Sequence, residues 1–549
     1  TWIHLGAGVT VATILFDTAD AAAYTIGAGG AGVQTLTLND TGGVTINSTV
    51  ANNQLVDANI VLGSAAAGTT SVTNYTTGAA GKNITFTGTI QGGTDGTAGI
   101  KTVNASILSG GSVTFTNAIT PGGATGVNLA HPGTSNSDTT HTGTLTLSGD
   151  VTSTLNTLRA TGGGTVVVDG QTVTVAAQSN YGATTSYGKF RLQSGSAAFN
   201  GGIQSATSSG ALAGADGMAF IVNGGTFSAS FVALGRARNM GSGYFTTAQT
   251  LGTDGFQVNG GTASVTGNVT IGGSNSSATG QVTGTGSLTV GGMLILGQNG
   301  SSGRTNFFQV TGGTLTVNDT ASGINIGRGT STIASKGQLL LTGGTTTAAK
   351  ITFGLSGGLA GSSGNLTLNG ETAALYVGSG GIVKAATNTF TEVINLTAGT
   401  LGAQADWSSP LAMNLAGAGV AIKAADASDV AANIALSGTL SGSNGLTKAG
   451  AGTLALSGTN THPGTDALHG GPGPGTSAAG PDGAARTPAA VTRTVVGSAN
   501  LTCLGGRDAA ADAGADANAD GSVVTSLRAA TAPAALLPAV AGATEPATL

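Results

Sequence analysis

A turn motif that recurs through the middle of the chain restricts the fold more than any other feature. The unit Val-x-Gly-Gly-Thr-x-x-Val and its variants place anchor glycines at positions 224, 260, 284, 312, 343 and 370. The intervals between these glycines are 36, 24, 28, 31 and 27 residues. Such periods are typical of solenoids, in which each repeat buries its apolar face only by stacking on its neighbours. The motif therefore predicts stacked coils.

Short alternating segments lie between these turns. Residues 144–147 and 315–317, for example, alternate aliphatic side chains with threonine, so that one face of each predicted strand is apolar and the other is polar. Segments this short, bounded by Gly-Gly, leave a sandwich, a barrel or a parallel β-helix. The recurrence of one turn at one period favours the β-helix. We predict an all-β protein, a right-handed parallel β-helix or β-solenoid.

The clarity of the repeat divides the chain into three parts. Residues 216–461 contain the clear Gly-Gly-Thr repeats, and residues 1–215 contain similar strands with degenerate repeats. Beyond Thr461, in residues 462–549, Pro, Ala, Gly and Asp dominate and no aromatic residue occurs. A segment of this composition buries too little apolar surface to order itself, so we predict a disordered C-terminal tail or linker. Trypsin is then expected to cut the tail arginines 486, 493, 507 and 528 before Arg304 or Lys350.

Charge and cysteine content exclude several classes of function. Only 7% of the 549 residues are charged and the net charge is -5, which argues against a nucleic-acid partner and against a polybasic membrane patch. The single cysteine, Cys503, excludes an internal disulfide framework and a Cys-rich zinc site. The chain starts at Thr1 without a basic and apolar leader, so we expect that a leader was removed or that the sequence is a fragment.

Few side chains suggest chemistry, and none forms a convincing site. Asp516, Asn518 and Asp520 resemble half of a calcium loop, but Leu527 stands where the twelfth-position carboxylate is needed. Alternating threonines could offer a regular array to ice or a polysaccharide, although strand propensity already explains them. The remaining candidates are isolated basic, acidic and imidazole groups without metal or catalytic spacing, namely Arg236, Arg238, Asp150, Asp169, Asp216, Asp254, His4, His131, His141, His462 and His469.

These observations predict a protein that is not an enzyme and that has no catalytic, cofactor-binding or metal-binding residues. We interpret the acidic residues as scattered charges that keep the protein soluble. His131 and His141 flank a polar loop and are expected at the surface.

Residues 445–461 closely resemble the autotransporter-associated β-strand repeat of bacterial autotransporter passenger domains and related secreted surface proteins. After Thr461 this chain has His-Pro-Gly-Thr where the family usually continues Tyr-x-Gly-x-Thr. The residues that carry the resemblance are Leu446-Thr447-Lys448, Gly450-x-Gly452-Thr453-Leu454-x-Leu456-Ser457-Gly458 and Asn460-Thr461.

The resemblance implies an exported β-helical rod at the outer membrane surface, or outside the cell, of a Gram-negative-type bacterium. We expect a structural or adhesive role, with cell-surface glycans or other copies of the chain as partners and no cofactor. Membrane contact is expected only through an anchor or barrel that this sequence does not contain. The alternative is a carbohydrate-binding or polysaccharide-active β-helix protein.

Overall fold

A computed structural model describes most of the chain up to residue 462 and three short pieces beyond it. The described residues are 1–462 without 7, 64–67, 79–80, 94–98, 133–139, 162, 182–187, 206–218, 236–243, 252–253, 273–277, 299–304, 330–333 and 386–388, together with 466–468, 491–493 and 501–503. They contain strands and turns but no α-helix. The strands pair in parallel and stack as a β-solenoid of about 13 turns. The predicted all-β solenoid is confirmed, while its handedness stays a prediction.

Two compact units make up the chain, and the first comprises Thr1–Gly241, Thr250–Gly292 and Asn299–Arg304. Its strands are β1 (Trp2–Ile3), β2 (Val9–Phe16), β3 (Thr25–Ile26), β4 (Thr35–Ile46), β5 (Gln54–Val56), β6 (Asn59–Leu62), β7 (Thr69–Asn74), β8 (Asn83–Phe86), β9 (Ile90–Gln91), β10 (Ile100–Ile107), β11 (Ser112–Phe115), β12 (Ile119–Thr120), β13 (Gly126–His131), β14 (Thr144–Ser148), β15 (Thr152–Leu155), β16 (Thr157–Ala160), β17 (Thr165–Val175), β18 (Ser179–Tyr181), β19 (Lys189–Phe199), β20 (Ile203–Ser205), β21 (Ala219–Val222), β22 (Thr226–Ala229), β23 (Val232–Leu234), β24 (Gly255–Val258), β25 (Thr262–Val265), β26 (Val269–Ile271), β27 (Thr279–Val282) and β28 (Ser287–Val290).

Each sheet of the first unit takes strands from successive coils. One sheet begins β1-β3-β5-β8-β11-β14-β17-β19 and continues as two parallel rows, β21-β24-β27 and β22-β25-β28. A second sheet contains β2, β4, β6, β7, β9, β10, β12, β13 and β16, and a third contains β18, β20, β23 and β26. A strand therefore meets its partner one coil away in sequence, which is the pairing of a solenoid.

The second unit comprises Ser242–Gln249, Met293–Gln298 and Thr305–Leu549. One sheet contains β30, β32, β34, β36, β38, β40, β41, β43 and β45, and two smaller groups contain β29-β31-β33-β35 and β37-β39-β42-β44. The strands are β29 (Leu294–Leu296), β30 (Thr305–Val317), β31 (Ile324–Ile326), β32 (Lys336–Ala348), β33 (Ile351–Phe353), β34 (Ser362–Val377), β35 (Ile382–Lys384), β36 (Phe390–Ala403), β37 (Trp407–Ser409), β38 (Met413–Lys423), β39 (Ile434–Leu436), β40 (Leu440–Gly442), β41 (Thr447–Ala449), β42 (Leu454–Leu456), β43 (Asp466–Leu468), β44 (Val491–Arg493) and β45 (Leu501–Cys503).

The interior of each unit consists of aliphatic and aromatic columns. In the first unit Phe220 pairs with Phe256, and Phe256 pairs with Gly280, which reproduces the 36- and 24-residue intervals of the turn motif. Both phenylalanines are almost fully buried. Burying one such side chain stabilises a protein by roughly 1.5–3 kcal/mol, so repetition of the column supplies the stability that a single coil lacks.

A column of glycines lies where the turns of successive coils meet. Gly195, Gly225 and Gly261 have φ angles of 79°, 68° and 66°, a region that favours glycine because it lacks a Cβ. A Cβ on Gly225 would collide with the carbonyl oxygen of Gly195, and one on Gly261 with that of Gly225. The Gly-Gly of the motif thus serves both the turn and the close approach of neighbouring coils.

Parallel pairing continues beyond Thr461 in three short strands. β43 pairs with β41, β45 with β43 and β44 with β42. The rest of the region for which the sequence predicts disorder lies outside the described residues. The predicted boundaries at residues 215 and 461 stay predictions.

Candidate functional site: outer amide ladders and a seated strap

In the first unit, polar side chains form a hydrogen-bonded ladder on the outer face. Asn223 donates to Gln193 Oε1 over 2.8 Å, Asn259 donates to Asn223 Oδ1 over 3.0 Å, and Gln281 donates to Asn259 Oδ1 over 3.0 Å. Gln193 and Asn223 are exposed. Asn223 and Asn259, in the middle of this open ladder, both donate and accept, and hydrogen bonds linked in such a chain polarise one another. The ladder presents a neutral polar surface to solvent.

In the second unit, glutamines hold a separate segment of the chain. We call residues 244–249 the strap. The backbone N–H of Phe245 donates to Gln338 Oε1 over 2.8 Å, and Gln338 Nε2 donates back to the Phe245 carbonyl over 2.5 Å. Gln309 holds Gln249 in the same way, with distances of 2.8 and 2.7 Å. Each side-chain amide therefore replaces the paired hydrogen bonds that a neighbouring strand would offer.

Side chains add three further contacts along the strap. Tyr244 Oη donates to Ser363 Oγ over 2.6 Å, and Asn369 Nδ2 donates to the carbonyl of residue 246 over 2.7 Å. The Phe245 ring packs edge-on against Phe307 with centroids 5.1 Å apart, a favourable aromatic geometry. Burial raises the pKa of the Tyr244 phenol above its ordinary value, and the hydrogen bond with Ser363 acts in the opposite direction.

The outer face of β30, β32 and β34 is buried where the strap crosses it. Alternation along β32 places Leu340 on the same face as Gln338, yet Leu340 is 0% exposed, and so is Phe307 on β30. Outward side chains of β28 are only half-buried in comparison. We call the residues that contact the strap, together with the buried Leu340 on the same face, the strap face: Phe307, Gln309, Gln338, Leu340, Ser363 and Asn369.

Sequence reasoning missed the strap, although two signals point to it. The 36-residue interval between Gly224 and Gly260 is the longest of the series, and the strap lies inside it. Glutamine also recurs just before the inward residues Val258, Val282 and Val310. A repeat that is longer than its neighbours must contain an extra segment. Glutamines that recur at outward positions indicate where such a segment can bind.

A shallow depression of about 460 Å³ forms elsewhere on the second unit, beside β37, β39 and β42. The two carboxylate oxygens of Asp406 accept from the backbone N–H and the side chain of Asn433, and Asn433 Oδ1 accepts from the Thr453 N–H. The backbone hydrogen bond from Asn433, followed by its side-chain bond, lowers the pKa of Asp406. Among the lining residues in the described part of the chain, Asp406 is the one carboxylate. The depression is thus lined by polar groups and by Trp407, which is 4% exposed.

Three ionisable residues lie in the interior near the end of the described coils. Lys448 is 1% exposed and donates to the Gly450 carbonyl over 2.5 Å, and burial lowers its pKa to about 8. His462 Nε2 lies 3.0 Å from Asp466 Oδ1, and both are buried. Lys448 belongs to the repeat-like stretch 445–461, and the two-residue alternation of that stretch predicts that its side chain points inward. An aliphatic residue usually takes such a position.

The structure corrects the expectation that His131 and His141 are surface residues. Both are buried. His131 ends β13, and its imidazole ring lies in the space beside Gly164 that a Cβ on this glycine would need. His141 is within hydrogen-bond distance of Thr140 Oγ1 at 3.2 Å. The polar loop between the two histidines does not reveal the burial of its ends.

The other candidate side chains remain separate groups. Asp150 and Asp169 are exposed, Asp254 is buried, and Asp169 accepts from Ser194 Oγ over 2.7 Å. His4 is exposed. Threonine stacking is present over three coils, at Thr85, Thr114 and Thr146. The candidates that fall outside the described residues are Arg236, Arg238, Asp216, His469 and the calcium-loop-like residues 516–521.

Fold and surface together define a parallel β-solenoid repeat protein with amide ladders on its outer faces. In the part of the chain that the structure describes, no three His, Cys, Asp or Glu side chains are grouped so as to hold a metal ion. Within the same residues no helix is long and apolar enough to cross a membrane. Comparison of the chain with protein-family models, curated proteins and solved structures finds no match.

Proposed function

We propose that this chain is an exported bacterial cell-surface or extracellular protein, similar to an autotransporter passenger, with a structural or adhesive role and no enzymatic activity. Its partners are cell-surface glycans or other copies of the chain, which its neutral outer ladders meet through amide and hydroxyl groups. Low charge supports contact by hydrogen bonding over contact by ion pairing.

The observation that carries this proposal is the placement of the repeat-like residues 445–461. Leu446, Leu454 and Leu456 point into the interior and are at most 4% exposed. Gly450 has a φ of 77°, and a Cβ on Gly452 would collide with the backbone of residue 432. The residues that resemble the autotransporter-associated repeat are thus the ones that form the core and the turns of a coil. This supports the view that the resemblance reflects a shared coil structure.

Surface labelling of the producing bacterium tests this proposal. Antibodies against the purified protein are expected to label intact cells, and mild proteinase K treatment of intact cells should remove the label. A cytoplasmic protein of the same cells serves as the control and should be labelled only after permeabilisation. Labelling of this protein only after permeabilisation would contradict the proposal.

A carbohydrate-binding role is the second candidate, and the depression at Asp406 favours it. The lining includes the Asp406 carboxylate, the Asn433 amide and Trp407; carboxylates and amides can bond the hydroxyls of a sugar, and an aromatic side chain can pack against its apolar face. Purified protein and the Asp406→Ala variant should be compared on a panel of acidic and neutral glycans. Binding that the variant loses supports this role, and release of oligosaccharides would indicate a polysaccharide-active protein. Equal binding by both proteins would exclude the depression as the site.

A further inference from the structure

We propose that the strap face is a recognition site for a short polypeptide segment, and that the ligand it binds from outside its own chain is the strap of a second copy. Copies of the chain would then associate by exchanging straps. This inference does not depend on export or adhesion. It rests on how the strap is held within the second unit.

The strap face recognises a short backbone segment that bends at residues 246 and 247. Gln338 and Gln309 each satisfy both the N–H and the C=O of one strap residue, at Phe245 and at Gln249. Backbone groups recognised in this way supply affinity without regard to sequence, as in the addition of a strand to a sheet edge. A ligand must therefore offer free backbone groups at the first and fifth of five successive residues, with a bend between them.

Selectivity comes from side chains at one end of the strap. Phe245 meets the buried ring of Phe307, and the hydroxyl of Tyr244 bonds Ser363. A ligand that lacks the aromatic pair would leave Phe307 uncovered and Ser363 without that partner. The chemistry recognised is thus a Tyr-Phe pair followed by a polar segment that bends.

A second copy of the chain carries the same six residues. An exchanged strap would make the same hydrogen bonds and the same ring contact, so the two arrangements differ only in the chain segments that lead to the strap. A tethered strap competes at an effective concentration on the order of millimolar. The closed form therefore dominates in dilute solution, and exchange becomes visible when a chain's own strap cannot bind.

Complementation between two full-length variants tests the exchange. The strap variant, Tyr244→Ala with Phe245→Ala, keeps the strap face but loses the two aromatic side-chain contacts that help to hold its own strap there. The face variant, Gln309→Ala with Gln338→Ala, keeps the ligand but loses the face. Each variant alone should be monomeric in sedimentation velocity, and an equimolar mixture should form a 1:1 complex. The matched control, Gln193→Ala with Asn223→Ala in the open ladder, should not associate with the strap variant.

A synthetic peptide of residues 243–250 provides the second measurement. Labelled peptide should bind the strap variant at least roughly tenfold more tightly than it binds the intact protein, whose own strap competes. It should also dissociate the mixed complex, whereas the peptide carrying Phe245→Ala should not. Circular dichroism must first show that both variants are folded.

Two outcomes overturn the proposal. Folded variants that neither associate nor bind the peptide would show that the strap face recognises nothing in trans. Peptide binding without a mixed complex would show that a peptide site exists but that a second copy does not supply its ligand.

Discussion

The outer faces of the two units use similar amide side chains in different ways. In the open ladder of the first unit, Asn223 and Asn259 bond mainly to other side-chain amides. On the strap face, Gln309 and Gln338 bond to backbone groups of another segment. The same residue types therefore stabilise a surface in one unit and hold a ligand-like segment in the other.

The two sets of amides also differ in burial, and this difference determines how much each set contributes to the free energy of unfolding. An exposed amide exchanges partners with water at little net gain, whereas a buried one leaves costly unsatisfied groups when its partner is removed. Gln193 and Asn223 are exposed, while Gln309 and Gln338 are at most 1% exposed. The covered face should thus be far more sensitive to substitution than the open one.

The largest effect is expected from Leu340→Ala. Removing a fully buried leucine side chain should lower the free energy of unfolding by about 2–4 kcal/mol, measured by urea unfolding. The same substitution at Leu15 in the first unit, where the side chain is 54% exposed, should cost less than about 1 kcal/mol. Equal effects at the two leucines would mean that the strap does not cover its face.

Gln338→Ala should have the next largest effect. It leaves the N–H and C=O of Phe245 without their partner, so a loss of about 1–3 kcal/mol is expected. Gln193→Ala, at the exposed end of the open ladder, should change stability by less than about 0.5 kcal/mol. Hydrogen exchange at the Phe245 amide should rise sharply in the first variant and stay unchanged in the second. Unchanged exchange in both would argue that Gln338 does not hold the strap.

Tyr244→Phe tests the hydroxyl end of the strap and carries a pH dependence. Loss of the bond to Ser363 should cost about 0.5–1.5 kcal/mol at neutral pH. Because burial raises the pKa of Tyr244 above its ordinary 10.0, the neutral phenol stabilises the fold fully below pH 10. This contribution is lost as the pH rises through the raised pKa. The advantage of the wild type over the variant should therefore shrink in alkali, and a pH-independent difference would contradict a buried phenol.

The smallest effect is expected from Asn223→Ala, in the middle of the open ladder. Water replaces the lost partner at an exposed position, so stability should change by about 0.5 kcal/mol or less. Hydrogen exchange of the Phe245 and Gln249 amides should not change. A loss of more than about 1 kcal/mol in urea unfolding would show that the open ladder behaves as a cooperative network.

Much of the fold can be predicted from the sequence because its determinants are local and repeated. Two-residue alternation sets which side chains point inward, and the recurrence of Gly-Gly-Thr sets where successive coils meet. Phe220 and Phe256 pair across the interval that the anchor glycines define. A pattern that repeats in sequence predicts a contact that repeats in space.

The strap could not be predicted in the same way because it departs from the repeat. Its length excess is visible between Gly224 and Gly260, but Tyr244 meets Ser363 more than a hundred positions later. No periodicity links these two residues. Burial of His131 was missed for a related reason, since it depends on the space that Gly164 leaves in a neighbouring coil.

The column formed by Gly195, Gly225 and Gly261 bears on how the gene for such a chain can change in length. Gly225 and Gly261 each lie so close to the carbonyl of the preceding glycine in the column that a Cβ would collide with it, and every coil has such a carbonyl group. In-frame duplication or deletion of one whole turn would therefore recreate the contact between new neighbours. Loss of part of a turn would set a side chain against that carbonyl. Variation in copy number by whole turns is the genetic pattern that this backbone contact permits.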